Sequence, residues 1–282
     1  MANYLHEHFT GERALFKCED AYIDDCLFND GESPLKESKR LEIVHTTFDW
    51  KYPLWYDETV HAIDCTFTPN ARAGIWYTKG ATFRNCVFDA PKLFRKCVGI
   101  SLEDVQFSDA LETLWWNKGV HIQDASVVNG DYFCQGCEDV DIDHLDLQGK
   151  YAFDGCTNVT VRNSVLRTKD VFWNCKHVVV ENSFIDTEYF GWNSEDVTLI
   201  HCEIHSHQGF CYMKGIKLID CRVVDSDLTF EYCTDIDAEI VTRVESIKNP
   251  ISGVIRVAEV GEIIQDDPAI DTSKVQIIVG HE

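Results

Sequence analysis

Apolar and polar residues alternate along this chain in short runs, and the runs return every 19 to 21 residues. One apolar column reads Ile23, Ile43, Ala62, Phe83, Leu102, Ile122, Ile142, Val161, Val180, Leu199 and Leu218. Two residues earlier runs another, from Ala21, Leu41 and Val60 to Val178, Val197 and Ile216. A third, later in each repeat, starts Phe28, Phe48, Phe67, Phe88, Phe107 and ends Ile185, Ile204, Val223. The residues between are mostly polar, which is the period-two signature of strands with one buried face. No 3.6-residue periodicity competes with it before about residue 240.

Directly after the first strand of each repeat stands a polar column of Asp, Asn and His, from Asp25, His45, Asp64 and Asn85 to Asn182, His201 and Asp220. These residues tolerate left-handed backbone and hydrogen-bond to nearby main chain, so the column predicts a tight bend. Small or thiol side chains follow it, including Cys26, Cys65, Cys86, Cys202 and Cys221. A second thiol column holds Cys18, Cys97, Cys137, Cys156, Cys175 and Cys233. Eleven of the 13 cysteines thus belong to two columns, and Cys134 and Cys211 fall in a third. An odd count spaced by the repeat in a long chain points to reduced thiols packed as small hydrophobes, and so to a cytoplasmic location.

Short strands on a fixed period of about 20 residues predict an all-β fold, a β-solenoid of about 12–14 coils, each burying its inner face on its neighbours. Residues 1–13 are expected to cap one end, 14–235 to form regular coils, and 236–282 to form plainer coils or a cap. Runs such as "VTVRNSVL", "HIQDASVV" and "FRNCVF" resemble the right-handed parallel β-helix of pectin-lyase-like proteins over roughly residues 14–240. The whole chain also resembles a bacterial family of such solenoids described only as a domain of unknown function. That resemblance implies a fold and no activity.

Charge narrows the partners. The formal net charge is −23, from 48 acidic and 25 basic residues. Such a surface repels nucleic acid and anionic membranes, and a polyuronate unless cations intervene. No apolar run reaches the length of a membrane span. The start of the chain lacks a basic segment followed by an apolar one, so secretion by a signal peptide is not expected.

The candidate binding feature is an outward aromatic column, Trp55, Trp76, Trp115, Trp173, Trp192 and Tyr212, with Phe16, Lys36, Arg95, Gln135, Asp154 and Glu231 at the remaining coils. Five of the seven tryptophans lie on it. Adjacent coils ~4.8 Å apart would place these rings side by side. Such a ladder suits the apolar faces of a neutral saccharide or a partner protein; a loop or terminal segment covering the stripe is the plainer reading.

Other chemistry is weaker. "CQGC" at 134–137 lacks the second cysteine pair or helix start that zinc or redox chemistry needs. His205 and His207 would share a strand face, yet no third ligand is fixed by the spacing, so no metal or other cofactor is assigned. Asp124 with His144, and His201 with Asp220, could act as general bases, but bend chemistry explains the whole column. Outward acids such as Glu103, Asp141, Asp143 and Glu181 are numerous, and no catalytic residue follows from them. The readings kept open are a saccharide-binding solenoid, a pectin-lyase-like hydrolase or lyase, and a structural protein that assembles with itself.

Overall fold

The computed structural model describes residues 2–280 and is built almost wholly of parallel strands. The chain is a parallel β-solenoid, divided into two compact units, Met1–Gly149 and Lys150–Glu282. In the first unit eight strands stack in one sheet, Ala2–Leu5, Glu19–Asp24, Lys39–Val44, Glu58–Ile63, Lys79–Arg84, Val98–Phe107, Lys118–Val127 and Glu138–Gly149. Their register follows the predicted columns, with Ala21 opposite Leu41, Leu41 opposite Val60, and Ile100 opposite Val120. The second unit repeats this with seven strands, from Thr157–Arg162 to Val275–Val279. There Val159 faces Val178 and Val178 faces Val197.

Residues expected to cap the N-terminal end form one more turn instead. Ala2–Leu5 and His8–Phe9 pair in register with the next coil, because "ANYLHEHF" already alternates as the repeat does. At the other end, Val275–Val279 pairs with Gly253–Ile264 and buries none of its own residues.

Packing follows the period. Phe9, Phe28, Phe48, Phe67, Phe88 and Phe107 stack ring on ring at 4.8–5.2 Å, the spacing of the coils. Each buried ring removes enough apolar surface to contribute about 1.5–3 kcal/mol. In the second unit Phe153 stacks on Phe172 and Phe210 on Phe230.

The polar column makes the bends it was assigned. Every member from Asp25 to Asp220 has φ between 47° and 57°. No disulfide joins the cysteines of the described residues, and all but Cys18 are buried. Burial pushes Cys97, Cys175 and Cys211 up to about 12.

The second thiol column is also a hydrogen-bond ladder. Several side chains of this slot accept from a backbone N–H of the preceding coil and donate to a carbonyl there, as Cys233 does with Met213 N and Phe210 O. Asn117 shows both halves, accepting from Cys97 N at 2.7 Å and donating to Phe94 O at 2.8 Å. Ser38, Cys137 and Ser194 do the same. Asp57 occupies this slot with its Oδ1 on Ser38 N at 2.7 Å and its Oδ2 buried without a partner. Desolvation raises its pKa well above the ordinary aspartate value.

Candidate functional site

Residues that follow the inner Leu/Phe position of each coil point outward, and in the first unit they form a continuous stack. Trp55 and Trp76, paired in short strands, lie 5.0 Å apart with planes 8° from parallel. Arg95 and Trp115 continue the same bridges. The Arg95 guanidinium lies 4.6 Å from the Trp76 ring centre and 4.5 Å from that of Trp115. A planar cation thus fills the coil that lacks a tryptophan. Its other tie is to Glu112, at 3.3 Å.

The indole N–H groups are held as well. Trp55 donates to Ala73 O at 2.6 Å, Trp76 to Lys92 O at 2.8 Å, and Trp115 to Tyr132 O at 2.7 Å. Beside this stack runs a second one. Tyr56 and Tyr77 stack at 4.6 Å, and their planes meet those of Trp55 and Trp76 at 73–82°. Parallel rings in contact are about 3.5 Å apart face to face, so both stacks are slipped and part of each face stays uncovered. Tyr56 is 46% exposed and Trp116 49%. Gly136 closes one side of Trp116, since a Cβ there would fall 2.6 Å from its Cδ1.

In the second unit the column is less regular. Trp173 and Trp192 are 6.0 Å apart and tilted by 45°. The Nε1 of Trp173 is buried with no hydrogen-bond partner. The backbone pairs Trp192 with Cys211, which moves Tyr212 one position out of the predicted column. Its ring nevertheless lies 5.2 Å from that of Trp192 and stacks on Tyr232 at 5.1 Å. The step from Trp192 to Cys211 is 19 residues and the 20-residue step falls in the next coil, from Cys211 to Glu231, which the spacing alone assigns ambiguously.

Five cations stand along this corner, Lys51, Arg72, Lys92, Arg95 and Lys96; Lys51 pairs with Glu32, and Lys92 and Arg95 pair with Glu112. Sequence reasoning missed Trp50, which lies off the column, and did not connect Arg95 with its neighbours.

Cys134 and Cys137 are buried, and Cys137 donates to Leu114 O at 2.9 Å. Cys156 from the next coil joins them, the three Sγ atoms lying within 4.8 Å of one another, a neighbour that the spacing of CQGC alone did not supply. His205 hydrogen-bonds to Glu203 at 2.8 Å, and His207 lies just past the end of strand Glu203–Ser206. His144 sits nearer to Asp143, at 3.0 Å, than to Asp124, at 4.0 Å. His201 and Asp220 line an open groove of about 570 Å³ with Asn182, Glu203 and Arg222. Hydrogen bonds from His205 and Arg222 hold Glu203 below its ordinary pKa, which suits an anchored carboxylate and not a proton donor. Among the described residues the carboxyls pushed upward are Asp57 and Asp170, both beneath the surface. No helix is long and apolar enough to cross a membrane among the described residues.

A family profile described as "Protein of unknown function (DUF3737)" matches residues 2–278, and the chain belongs to that family. No curated protein matches it. Among solved structures it is similar to PfbA, a surface adhesin of Streptococcus pneumoniae, at 11% identity and a TM-score of 0.38, over 99% of this chain and 81% of that one. It is also similar to the mannuronan C-5 epimerase AlgE4 A-module of Azotobacter vinelandii, at 8% identity and a TM-score of 0.30, over 99% and 87% of the two chains.

Proposed function

We propose that this protein is a binding module whose ligand is an extended, largely neutral saccharide laid along the aromatic corner of the first unit. The observation that carries the reading is the ladder Trp55–Trp76–Arg95–Trp115 with its flanking Tyr56–Tyr77 stack. Stacked rings and a clamped guanidinium are already ordered, so a ligand meets a large amphipathic surface without an entropy cost for fixing side chains. The indole N–H groups are spent on backbone carbonyls, which leaves apolar ring faces and edges as the contact surface. In the second unit Trp173, Trp192 and Tyr212 form a shorter platform of the same kind. The reduced, buried thiols favour a reducing compartment, which we infer to be the cytoplasm.

Intrinsic tryptophan fluorescence, titrated with a panel of neutral oligosaccharides, tests this directly. One class of sugar should give a saturable shift, and Trp55→Ala or Trp76→Ala should weaken it by about tenfold or more, as loss of an aromatic anchor does. Absence of a saturable shift with every neutral sugar, or a shift that both variants leave intact, removes the proposal.

A further inference from the structure

Most cysteines of this chain have a place in the repeat that needs no ligand. Those after the bend fill a slot for small side chains, and Cys97, Cys175 and Cys233 donate to carbonyls of the preceding coil. Cys134 belongs to neither column. The left-handed residues in line with it are Phe94, Leu114, Phe153 and Phe172, all fully buried, with φ between 50° and 62°. A thiol thus stands where neighbouring coils put a large apolar side chain. The lost bulk is made up one position earlier by Phe133, which packs edge-on to Phe107 at 6.2 Å. Alanine or valine would complete that exchange as well, so packing asks here for a small residue and not for sulfur.

That sulfur has two others beside it. The Sγ atoms of Cys134, Cys137 and Cys156 lie within 4.8 Å of one another, and each residue is no more than 1% exposed. The cluster is all sulfur, with no His, Asp or Glu in it. The Asn117 N–H donates to the Cys137 Sγ at 3.4 Å, a contact that favours a thiolate over a thiol. The hydrogen-bond ladder does not itself require sulfur at Cys137, since Asn117 and Ser194 make the same two bonds from that slot.

We propose that Cys134, Cys137 and Cys156 form a three-sulfur site for a soft monovalent metal ion, Cu(I). Thiolates select soft ions, and Cu(I) is satisfied by three sulfurs in a plane. A structural zinc site takes four ligands, whereas this cluster offers three and burial keeps water from supplying a fourth. Each thiol that binds as a thiolate releases its proton to solvent. Cys137 then exchanges its bond to Leu114 O, at 2.9 Å, for the bond to the metal. No electron is transferred, because the ion arrives as Cu(I). The site is separate from the aromatic corner and stands or falls without it.

Anaerobic competition of the full chain, with its thiols kept reduced, against the Cu(I) chelator bicinchoninate tests this. Metal is offered both to the folded protein and during refolding from urea, so that a closed core does not hide the site. One equivalent of Cu(I) should leave the chelator, with a rise in melting temperature and an ultraviolet copper–thiolate charge-transfer band. Zn(II) at the same concentration should give a much smaller rise. Cys134→Leu installs the residue that Leu114 provides one coil earlier, so it should fold, and it should weaken Cu(I) binding by about a hundredfold or more, beyond the loss of an outer partner. Cys137→Ser keeps the ladder bonds, as Ser194 does, and should weaken binding as much. Cys221→Ser, in a column where Ser183 already stands, should leave it unchanged. Failure to draw Cu(I) from the chelator in either mode overturns the proposal. So does uptake that Cys134→Leu and Cys137→Ser leave intact, which would mark copper held adventitiously by other thiols. Zn(II) bound as tightly as Cu(I) overturns the three-sulfur assignment.

Discussion

The aromatic corners of the two units are written in the same columns and finished differently. In the first, Trp55, Trp76, Arg95 and Trp115 form an unbroken stack, and each indole N–H meets a carbonyl 16 to 18 residues ahead. In the second, Trp173 and Trp192 are tilted apart, the Trp173 N–H has no partner, and Cys211 takes the next place in the backbone register. The same outward position in the repeat therefore does not produce the same surface. Whether a ladder closes depends on what the neighbouring coil offers to each ring.

The strongest way to break that contrast is at Arg95. Arg95→Ala removes the guanidinium from between two indoles and leaves Glu112 with only Lys92, at 3.2 Å. It should destabilise the first unit by about 2–4 kcal/mol, through lost cation–π contacts and a new void. Arg95→Lys keeps the charge without the plane and should fall between. Urea denaturation followed by fluorescence measures both, and no change in either would mean that the ladder is not held by its cation.

Asp57 gives the next largest effect, with a sign that depends on pH. Its folded pKa is raised, so its stabilisation is complete below the unfolded value of about 4 and is lost as pH rises through the folded value. Asn117 shows that an amide fills the same slot with both bonds made. Asp57→Asn should therefore stabilise the protein at pH 7 by about 1–3 kcal/mol, and the gain should shrink as pH falls towards 4. Melting temperatures across that range check it; a gain independent of pH would contradict a raised pKa at Asp57.

The two corners can then be compared through one atom each. Trp76→Phe deletes an N–H that donates to Lys92 O, and should cost about 1 kcal/mol beyond the change in ring size. Trp173→Phe deletes an N–H that donates to nothing, and should cost less or stabilise. Equal losses in a denaturation series would show that the difference between the corners has no energetic weight.

The smallest contrast between the two units should be at the bend column. Asn85 and Asn182 occupy the bend column at φ 50°. Replacing either by Ala should cost about 1–2 kcal/mol, the ordinary penalty for left-handed backbone, with a difference between the sites close to zero. Gly at either position should recover most of that loss.

The sequence by itself determined the coil. Strand alternation set which residues face inward, the period set which of them meet, and the run of Asp, Asn and His set the bend. All three are backbone requirements repeated at every turn, so each coil restates them. Even so, Tyr212 slipped by one position and residues 2–9 joined the repeat, because a column read by eye follows side-chain type while the register follows hydrogen bonds. What only the tertiary structure decided is where neighbouring coils finish one another: Arg95 as the missing ring, Asp57 as a buried carboxyl of raised pKa, Trp173 without an acceptor, and two extra residues that open a cavity beside Trp50. Those outcomes depend on ring tilt, on the direction of a single N–H and on desolvation by atoms about 20 residues away. A period in the sequence fixes none of these, because it specifies that two residues are neighbours and not what passes between them.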